Sequence, residues 1–415
     1  MTHQFTSSQQ RAYDLLIGDR NIFLTGEAGS GKSFVIQHFV AQKDPKKFPV
    51  LASTGAAAVL IGGRTFHSFM GLGIMEGGIE DTIERALQDR RVVRRLKKIE
   101  GFILDEVSMI SGPTLEAAEC ICRLSRESDE VWGGLRVVVV GDFAQLPPVE
   151  RTGRKSWAFL HPVWKASRFV PVLLERNLRT ENPQFLSVLN SVRSGQVTKE
   201  VESYLNNKLE EPHESFDGTR LFPRRFQTDE YNERELKKLE GEPISIPSLF
   251  TGKDSYVRSL KKNSPLPEVL KIKKDCLVML RQNDPKQRWV NGSTGWIEEI
   301  KEDVLEIRLL AGRKIQVEKV TFSLLNAEGT VLASVTNFPI SLAYATTIHK
   351  AQGMTLDKMK VDLRNLWEPG QAYVALSRVA NPDELYLDGW HVDSIKCDPI
   401  VTRFYEVIKD YQQQL

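Results

Sequence analysis

The sequence predicts an α/β protein of two domains built on parallel sheets, with a small β-rich module inserted in the second. Two observations carry this. Short, continuously apolar runs such as "NIFLT" (21–25), "FILDE" (102–106) and "LRVVVVGD" (135–142) alternate with helical stretches, as strands buried on both faces by crossover helices do. Residues 242–340 break that rhythm with many Pro, Gly, Lys and Val and with turn signals such as "VNGSTG" (290–295) and "AEGT" (327–330), the texture of a β module.

Taken in order, "NIFLT" leads into "GEAGSGKS" (26–33) and then the amphipathic "KSFVIQHFVAQ". "FPVLAST" (48–54) reads as a second strand, followed by an Ala-rich helix. "FILDE" and "LRVVVVGD" put acidic residues at strand carboxyl ends, where open parallel sheets bind their ligands. "FVPVLLERNLRT" (169–180) reads as a strand opening the second domain, with helices over about 182–208. Strand–loop–helix texture resumes in "PISLAYATTIHKAQGMTLDKMKVDL" and "GQAYVALSRV" (370–379). The domains are expected at 1–170 and 171–415, with the insertion at about 242–337.

Composition bounds the answer without choosing it. The 415 residues suffice for two or three domains, and 41% hydrophobic with 27% charged residues is ordinary for a globular protein. No apolar run approaches 18 residues, and "MTHQFTSSQQR" lacks the regions of a secretory signal. Cys120, Cys122, Cys276 and Cys397 form no metal spacing and read as small buried thiols of a reducing cytoplasm. A net charge of +2 neither demands nor excludes nucleic acid. The local runs "RRVVRRLKK" (90–98) and "KIKK" (271–274) read as solvated faces before they read as contact surfaces.

Gly26-x-x-x-x-Gly31-Lys32-Ser33, between a strand and a helix, is a phosphate-binding loop in its proper context. Gly26, Gly29, Ser30 and Gly31 would turn backbone N–H groups onto phosphate oxygens, Lys32 would reach the β- and γ-phosphates, and Ser33 would hold Mg²⁺. Asp105 is the second expected metal residue. Its neighbour Glu106 is the expected general base, which favours water as acceptor over kinase chemistry. Gln145, in "GDFAQLPPV" (141–149), is placed to sense the γ-phosphate. Arg179 and Arg378, each just after an apolar strand-like segment, are the candidates to stabilise transferred charge.

These residues and their order resemble the Pif helicases of superfamily one, type B, over most of the chain. "FTSSQQRA" is similar to the Q motif, with Gln9 in the adenine-reading position, and "GEAGSGKS" to motif I. "ASTGAAAVLIGGRTFHSF" (52–69) resembles motifs Ia and Ib, "ILDEVSMI" motif II, "GDFAQLPPV" motif III and "ERNLRT" motif IV. "LAYATTIHKAQGMTLD" (342–357) resembles motif V and "GQAYVALSRV" motif VI. Motif IV departs from the family pattern, because Thr180 follows Arg179 where glutamine is usual.

The resemblance implies two RecA-like domains and, in "CLVMLRQN…RWVNGSTGWI" (276–297), a Src-homology-three-like barrel that helps to hold DNA. It implies an ATP- and Mg²⁺-dependent motor that moves 5′ to 3′ on single-stranded DNA and opens duplexes in genome maintenance. Residues 68–78 occupy the place of a wedge loop that splits the duplex. Ser53, Thr54, Thr65, His67 and Phe69 in the first domain, and Thr347, His349, Lys350 and Thr355 in the second, become the expected DNA contacts. Gln352 and Gly353 join the nucleotide set. Single-strand/double-strand junctions, G-quadruplexes and RNA–DNA hybrids are within the implied substrate range. A cytoplasmic or nucleoid-associated monomer without membrane contact, near the minimal core of bacterial or phage members, is the expectation. A RecD-like helicase and a nucleotide-switched single-strand clamp are the competing readings.

Overall fold

The computed structural model describes residues 4–54, 57–58, 64–73, 75, 77–148, 155–209, 216–284, 286, 288–325 and 330–413. Two compact units emerge: Met1–Leu178 with Leu324–Leu332 and Pro399–Leu415, and Arg179–Ser323 with Ala333–Asp398.

The first unit is built on β1 (Ile22–Gly26), β2 (Val50–Ala52), β3 (Arg64–Thr65), β4 (Gly101–Asp105), β5 (Arg136–Val140) and β6 (Val170–Leu174). They form one parallel sheet in the order β3-β2-β4-β5-β1-β6. All five residues of β1 are buried, and its side chains alternate between two cores. Ile22 and Leu24 pack with Ala12 and Leu16 of α1 (Ser7–Ile17) and with Val35, Ile36 and Phe39 of α2 (Lys32–Val40). Phe23 turns to the opposite face, where its ring lies 5.5 Å from Phe143, 5.1 Å from Trp164 and 6.0 Å from Phe404. Burial of each such side chain contributes roughly 1.5–3 kcal/mol, so β1 is anchored from both sides and the loop after it starts from a fixed point.

Two placements differ from the sequence expectation. Residues 170–174 do not open the second unit. They form the edge strand of the first sheet, paired in parallel with Ile22–Gly26 residue for residue. An edge strand tolerates Pro171, which cannot donate to a ladder. The helix Pro399–Gln413, at the end of the expected second domain, packs within the first unit.

In the second unit, residues 345–347, 219–222, 359–363 and 385–390 make a four-stranded parallel sheet in that order. The β-rich insertion is present as small antiparallel sheets. Its largest has five strands, ordered Lys314–Glu318, Val304–Leu309, Thr294–Ile300, Leu277–Leu280 and Ile340–Leu342. The buried Leu305, Ile307 and Leu309 alternate with less buried neighbours, as a sheet with one covered face requires.

Candidate nucleotide and nucleic-acid sites

In the first unit the expected nucleotide residues gather at the carboxyl ends of β1, β4 and β5. Gly26 has φ 148°, and a Cβ there would lie 2.7 Å from the Leu174 carbonyl oxygen and 2.8 Å from Ser30 Oγ. Only glycine lets β6 and the loop approach so closely. Gly31 caps α2 in the left-handed conformation (φ 85°), and a Cβ there would sit 2.4 Å from Gln9 Nε2; Gly29 also has positive φ. Lys32 Nζ donates to the carbonyl oxygens of Gly26 (2.8 Å) and Glu27 (3.0 Å). Ser30 Oγ is buried without a partner, while Ser33 is exposed on the first turn of α2.

Gln9 is buried, its Oε1 accepting from the Thr6 N–H in a capping box and its Nε2 donating to the Ser30 carbonyl (3.2 Å). The side chain expected to read adenine thus rests on the phosphate loop. The loop is also held by residues that sequence reasoning did not single out. Asn177 Nδ2 donates to the Ala28 carbonyl (2.8 Å), and the Leu178 N–H donates to the Gly29 carbonyl (2.8 Å).

Asp105 ends β4. Burial pushes its carboxyl above the ordinary carboxylate range, opposed by the Glu106 N–H at 2.9 Å and by the Lys32 charge. Glu106 holds a left-handed conformation (φ 53°, ψ 48°), which costs a non-glycine residue about 1–3 kcal/mol. Such strain commonly marks a functional position.

Past β5, Asp142 is fully buried and Gln145 nearly so. Gln145 Nε2 lies 3.5 Å from Asp142 Oδ2, and its N–H donates to the Asp142 carbonyl (3.0 Å). Asp142 Oδ1 accepts from the Ala144 N–H (3.1 Å) and from the Tyr405 hydroxyl (2.9 Å). The same hydroxyl meets Thr25 Oγ1 at 2.9 Å and accepts from the Phe143 N–H at 2.9 Å. Tyr405 lies more than 250 residues from Asp142, on a helix whose pattern announces only amphipathicity.

In the second unit, Arg179 and Arg378 come together at Ser377. Arg179 donates to the Ser377 carbonyl and the Thr355 hydroxyl, and Arg378 Nη2 donates to Ser377 Oγ (2.7 Å). Burial, then the neighbouring Arg378 charge, pushes the Arg179 pKa down to about 9. Gln352 follows the helix Ile348–Ala351, and Gly353 has φ 76°.

The expected DNA contacts divide into accessible groups and structural ones. Thr65 Oγ1 caps the helix Phe66–Met70 by accepting from the Ser68 N–H (3.1 Å), and Thr54 Oγ1 accepts from the Ala57 N–H (3.3 Å). Ser53 is half-buried with its hydroxyl toward Met109. His67 is half-buried, and burial lowers its pKa. Phe69, expected to offer its ring to bases, is only 2% exposed and lies under the Arg95 guanidinium at 4.9 Å. It belongs to the core. Thr347 is buried and caps Ile348–Ala351 through the Lys350 N–H (3.1 Å), whereas His349 and Lys350 are exposed. Thr355 is engaged by Arg179.

Of the wedge segment, residues 74 and 76 lie outside the described residues, as do 55–56 and 59–63 of motifs Ia and Ib, Val149 of motif III and 327–329 of the "AEGT" turn. Met75 has φ 54° and accepts a weak contact from Thr114 Oγ1 (3.6 Å). The basic run forms the helix Arg90–Lys98, whose Lys97 pairs with Glu127 (2.6 Å). In "KIKK", Lys273 is buried and donates to the Leu239 carbonyl (2.7 Å). All four cysteines are free thiols, Cys122 and Cys276 buried and Cys120 and Cys397 half-buried.

A parallel sheet that carries a phosphate loop, an Asp–Glu strand end and a buried Gln beyond the next strand defines a RecA-like P-loop nucleotide hydrolase. A family model described as PIF1-like helicase matches residues 4–203. The ATP-dependent DNA helicase Pif1 of Bdellovibrio bacteriovorus is 51% identical over 403 residues, covering 97% of this chain and 92% of that protein. The ATP-dependent DNA helicase PIF1 of Xenopus laevis is 32% identical over 411 residues, covering 97% of this chain and 64% of that longer protein. The crystal structure of Bacteroides sp Pif1 in complex with ADP-AlF4 matches with a TM-score of 0.86 at 28% identity, covering 99% of this chain and 98% of that one. The chain belongs to the PIF1-like helicase family.

Proposed function

We propose that this chain is an ATP-dependent DNA helicase that moves 5′ to 3′ on single-stranded DNA and opens duplex or structured DNA during genome maintenance. The observation that supports it most is that the Lys32 loop, Asp105 with the strained Glu106, and Gln145 follow the carboxyl ends of β1, β4 and β5 in one parallel sheet. That set serves ATP hydrolysis: Lys32 binds the terminal phosphates, Glu106 takes the proton of the attacking water, and Gln145 orients it. We assign Arg179 and Arg378 to stabilising the developing phosphate charge.

The donors suit Mg²⁺. A hydroxyl and one carboxylate, Ser33 and Asp105, are hard oxygen ligands, and Mg²⁺ in such sites takes few protein ligands with phosphates and water completing the shell. Among the described residues no cluster of three or more His, Cys, Asp or Glu offers a dedicated cage. The ion would neutralise phosphate charge and relieve the burial cost of the Asp105 carboxylate.

The relatives are named ATP-dependent DNA helicases, and Bacteroides Pif1 has been solved bound to single-stranded DNA. This supports single strands and strand junctions as the polymer here, gripped through Ser53, Thr54, Thr65 and His67 in one unit and through His349 and Lys350 in the other. The same reading extends to G-quadruplexes and RNA–DNA hybrids, to a monomer as the working form and to the nucleoid as its place. Among the described residues no helix is long and apolar enough to cross a membrane.

ATP turnover of the purified chain, measured with and without DNA and RNA oligomers of one sequence, tests the proposal. Strong stimulation by single-stranded DNA is expected. Equal stimulation by RNA would point to another polymer, through indifference to the 2′-hydroxyl. Binding of DNA without any turnover would make the chain a clamp.

A further inference from the structure

The helix Pro399–Gln413 lies outside every motif that the nucleotide reading uses, yet it delivers a buried hydroxyl to the ends of β1 and β5. We propose that Tyr405 is a positioning residue for ATP hydrolysis: its hydroxyl locks Asp142 and the Phe143 backbone to Thr25, and so fixes Gln145 relative to the phosphate loop. The inference rests on the hydrolytic reading above.

The hydroxyl meets three partners among the described residues. A phenol donates once and accepts twice. Its proton goes to Asp142 Oδ1 (2.9 Å), and one lone pair takes the Phe143 N–H (2.9 Å). The other is left for Thr25, 2.9 Å away, which must then donate. Thr25 immediately precedes Gly26, the first glycine of the loop, and Asp142 is three residues before Gln145. One oxygen atom therefore ties together the two backbone segments that carry the phosphate loop and the amide that senses its contents.

The ring is held as firmly as the hydroxyl. Tyr405 is 5% exposed, and its neighbour Phe404 stacks on Phe159 with centroids 4.1 Å apart at 13°. Phe404 also lies 5.7 Å from Phe143, the residue whose N–H the hydroxyl accepts. The aromatic packing places the helix, and the hydroxyl converts that placement into a constraint on Asp142. Asp142 Oδ2, 3.5 Å from Gln145 Nε2, passes it on. A small displacement of an orienting group costs roughly ten- to a hundredfold in rate.

Tyr405→Phe in the full chain keeps the ring and removes the hydroxyl. The expected result is a kcat for DNA-stimulated ATP hydrolysis lowered about tenfold or more, with KM for ATP and affinity for single-stranded DNA within about twofold of the parent. Gln145→Ala and the double variant complete a cycle. If Tyr405 acts through Gln145, the double variant is no slower than Gln145→Ala alone. Unchanged kcat in folded Tyr405→Phe, or losses that multiply in the double variant, would overturn the positioning role. Should Tyr405→Phe unfold at the assay temperature, Thr25→Val, which removes the hydroxyl's other partner, carries the same test with the same expected split. A parent chain without DNA-stimulated turnover would overturn the hydrolytic reading and the positioning role together, whereas a normal parent with an unaffected variant overturns the second alone.

Discussion

In the first unit the buried Asp142 carboxylate accepts from Tyr405 and the Ala144 N–H, with Gln145 beside its other oxygen. In the second unit the buried Arg281 guanidinium, 6% exposed, points Nη1 at the sulfurs of Met279 (3.5 Å) and Met354 (3.7 Å). Its Nε is buried with no partner, and among the described residues no carboxylate pairs with it. Burial pushes its pKa down to about 10. Arg179 is likewise displaced, to about 9, with Arg378 adding to the effect. Burying a charge without full compensation costs several kcal/mol. The first unit uses its hydrogen bonds to fix groups in place, while in the second the Arg281 guanidinium holds a buried charge that no described carboxylate balances.

Five substitutions test that contrast. The largest effect is expected at Glu106. Glu106→Gln should bind ATP normally while kcat falls on the order of a thousandfold, as read by nucleotide binding and single-turnover hydrolysis; a rate near that of the parent would remove Glu106 from the base role. Next is Arg281→Met, which exchanges an uncompensated cation for an apolar side chain among methionines. It should stabilise the fold by about 1–3 kcal/mol and raise Tm, whereas a lowered Tm would show that the guanidinium is compensated after all.

Asp105→Asn should do two opposite things, slowing hydrolysis while raising Tm. The sign follows from its raised pKa: the folded state disfavours the carboxylate, so the penalty is present at neutral pH and is relieved as pH falls through the raised value. Thermal melts of parent and variant should therefore converge on acidification, and a gap independent of pH would refute the burial account. The smallest effects belong to the two helix caps. Thr65→Ala and Thr347→Ala each remove one side-chain cap, at about 1 kcal/mol by denaturant titration. If either weakens DNA binding more than it lowers stability, that hydroxyl has a second role.

The local chemistry of the site was legible because short, contiguous patterns carry it. The phosphate loop, the Asp105–Glu106 pair and Gln145 each follow an apolar strand, and the parallel sheet sets them side by side. What the pattern could not carry was partnership at a distance. "FVPVLL" reads as a strand, but nothing in it says that Ile22–Gly26 is its neighbour. Tyr405 is one apolar position on an amphipathic helix until Thr25 and Asp142 are seen beside it. Phe69 reads equally as a stacking platform or as core, and only its burial beneath Arg95 decides for the core. Leu178 was passed over because its backbone N–H holds the Gly29 carbonyl, a task most residues can perform, and Asn177 because a single side-chain donor to the Ala28 carbonyl leaves no pattern in the sequence.

Unwinding of two partial duplexes, one with a 5′ single-stranded tail and one with a 3′ tail, tests the central claim most directly, with ATP, without it, and with Lys32→Ala. Only the 5′-tailed duplex should open, only with ATP, and not with the variant. Opening of neither duplex by a chain that still binds single strands would contradict the claim.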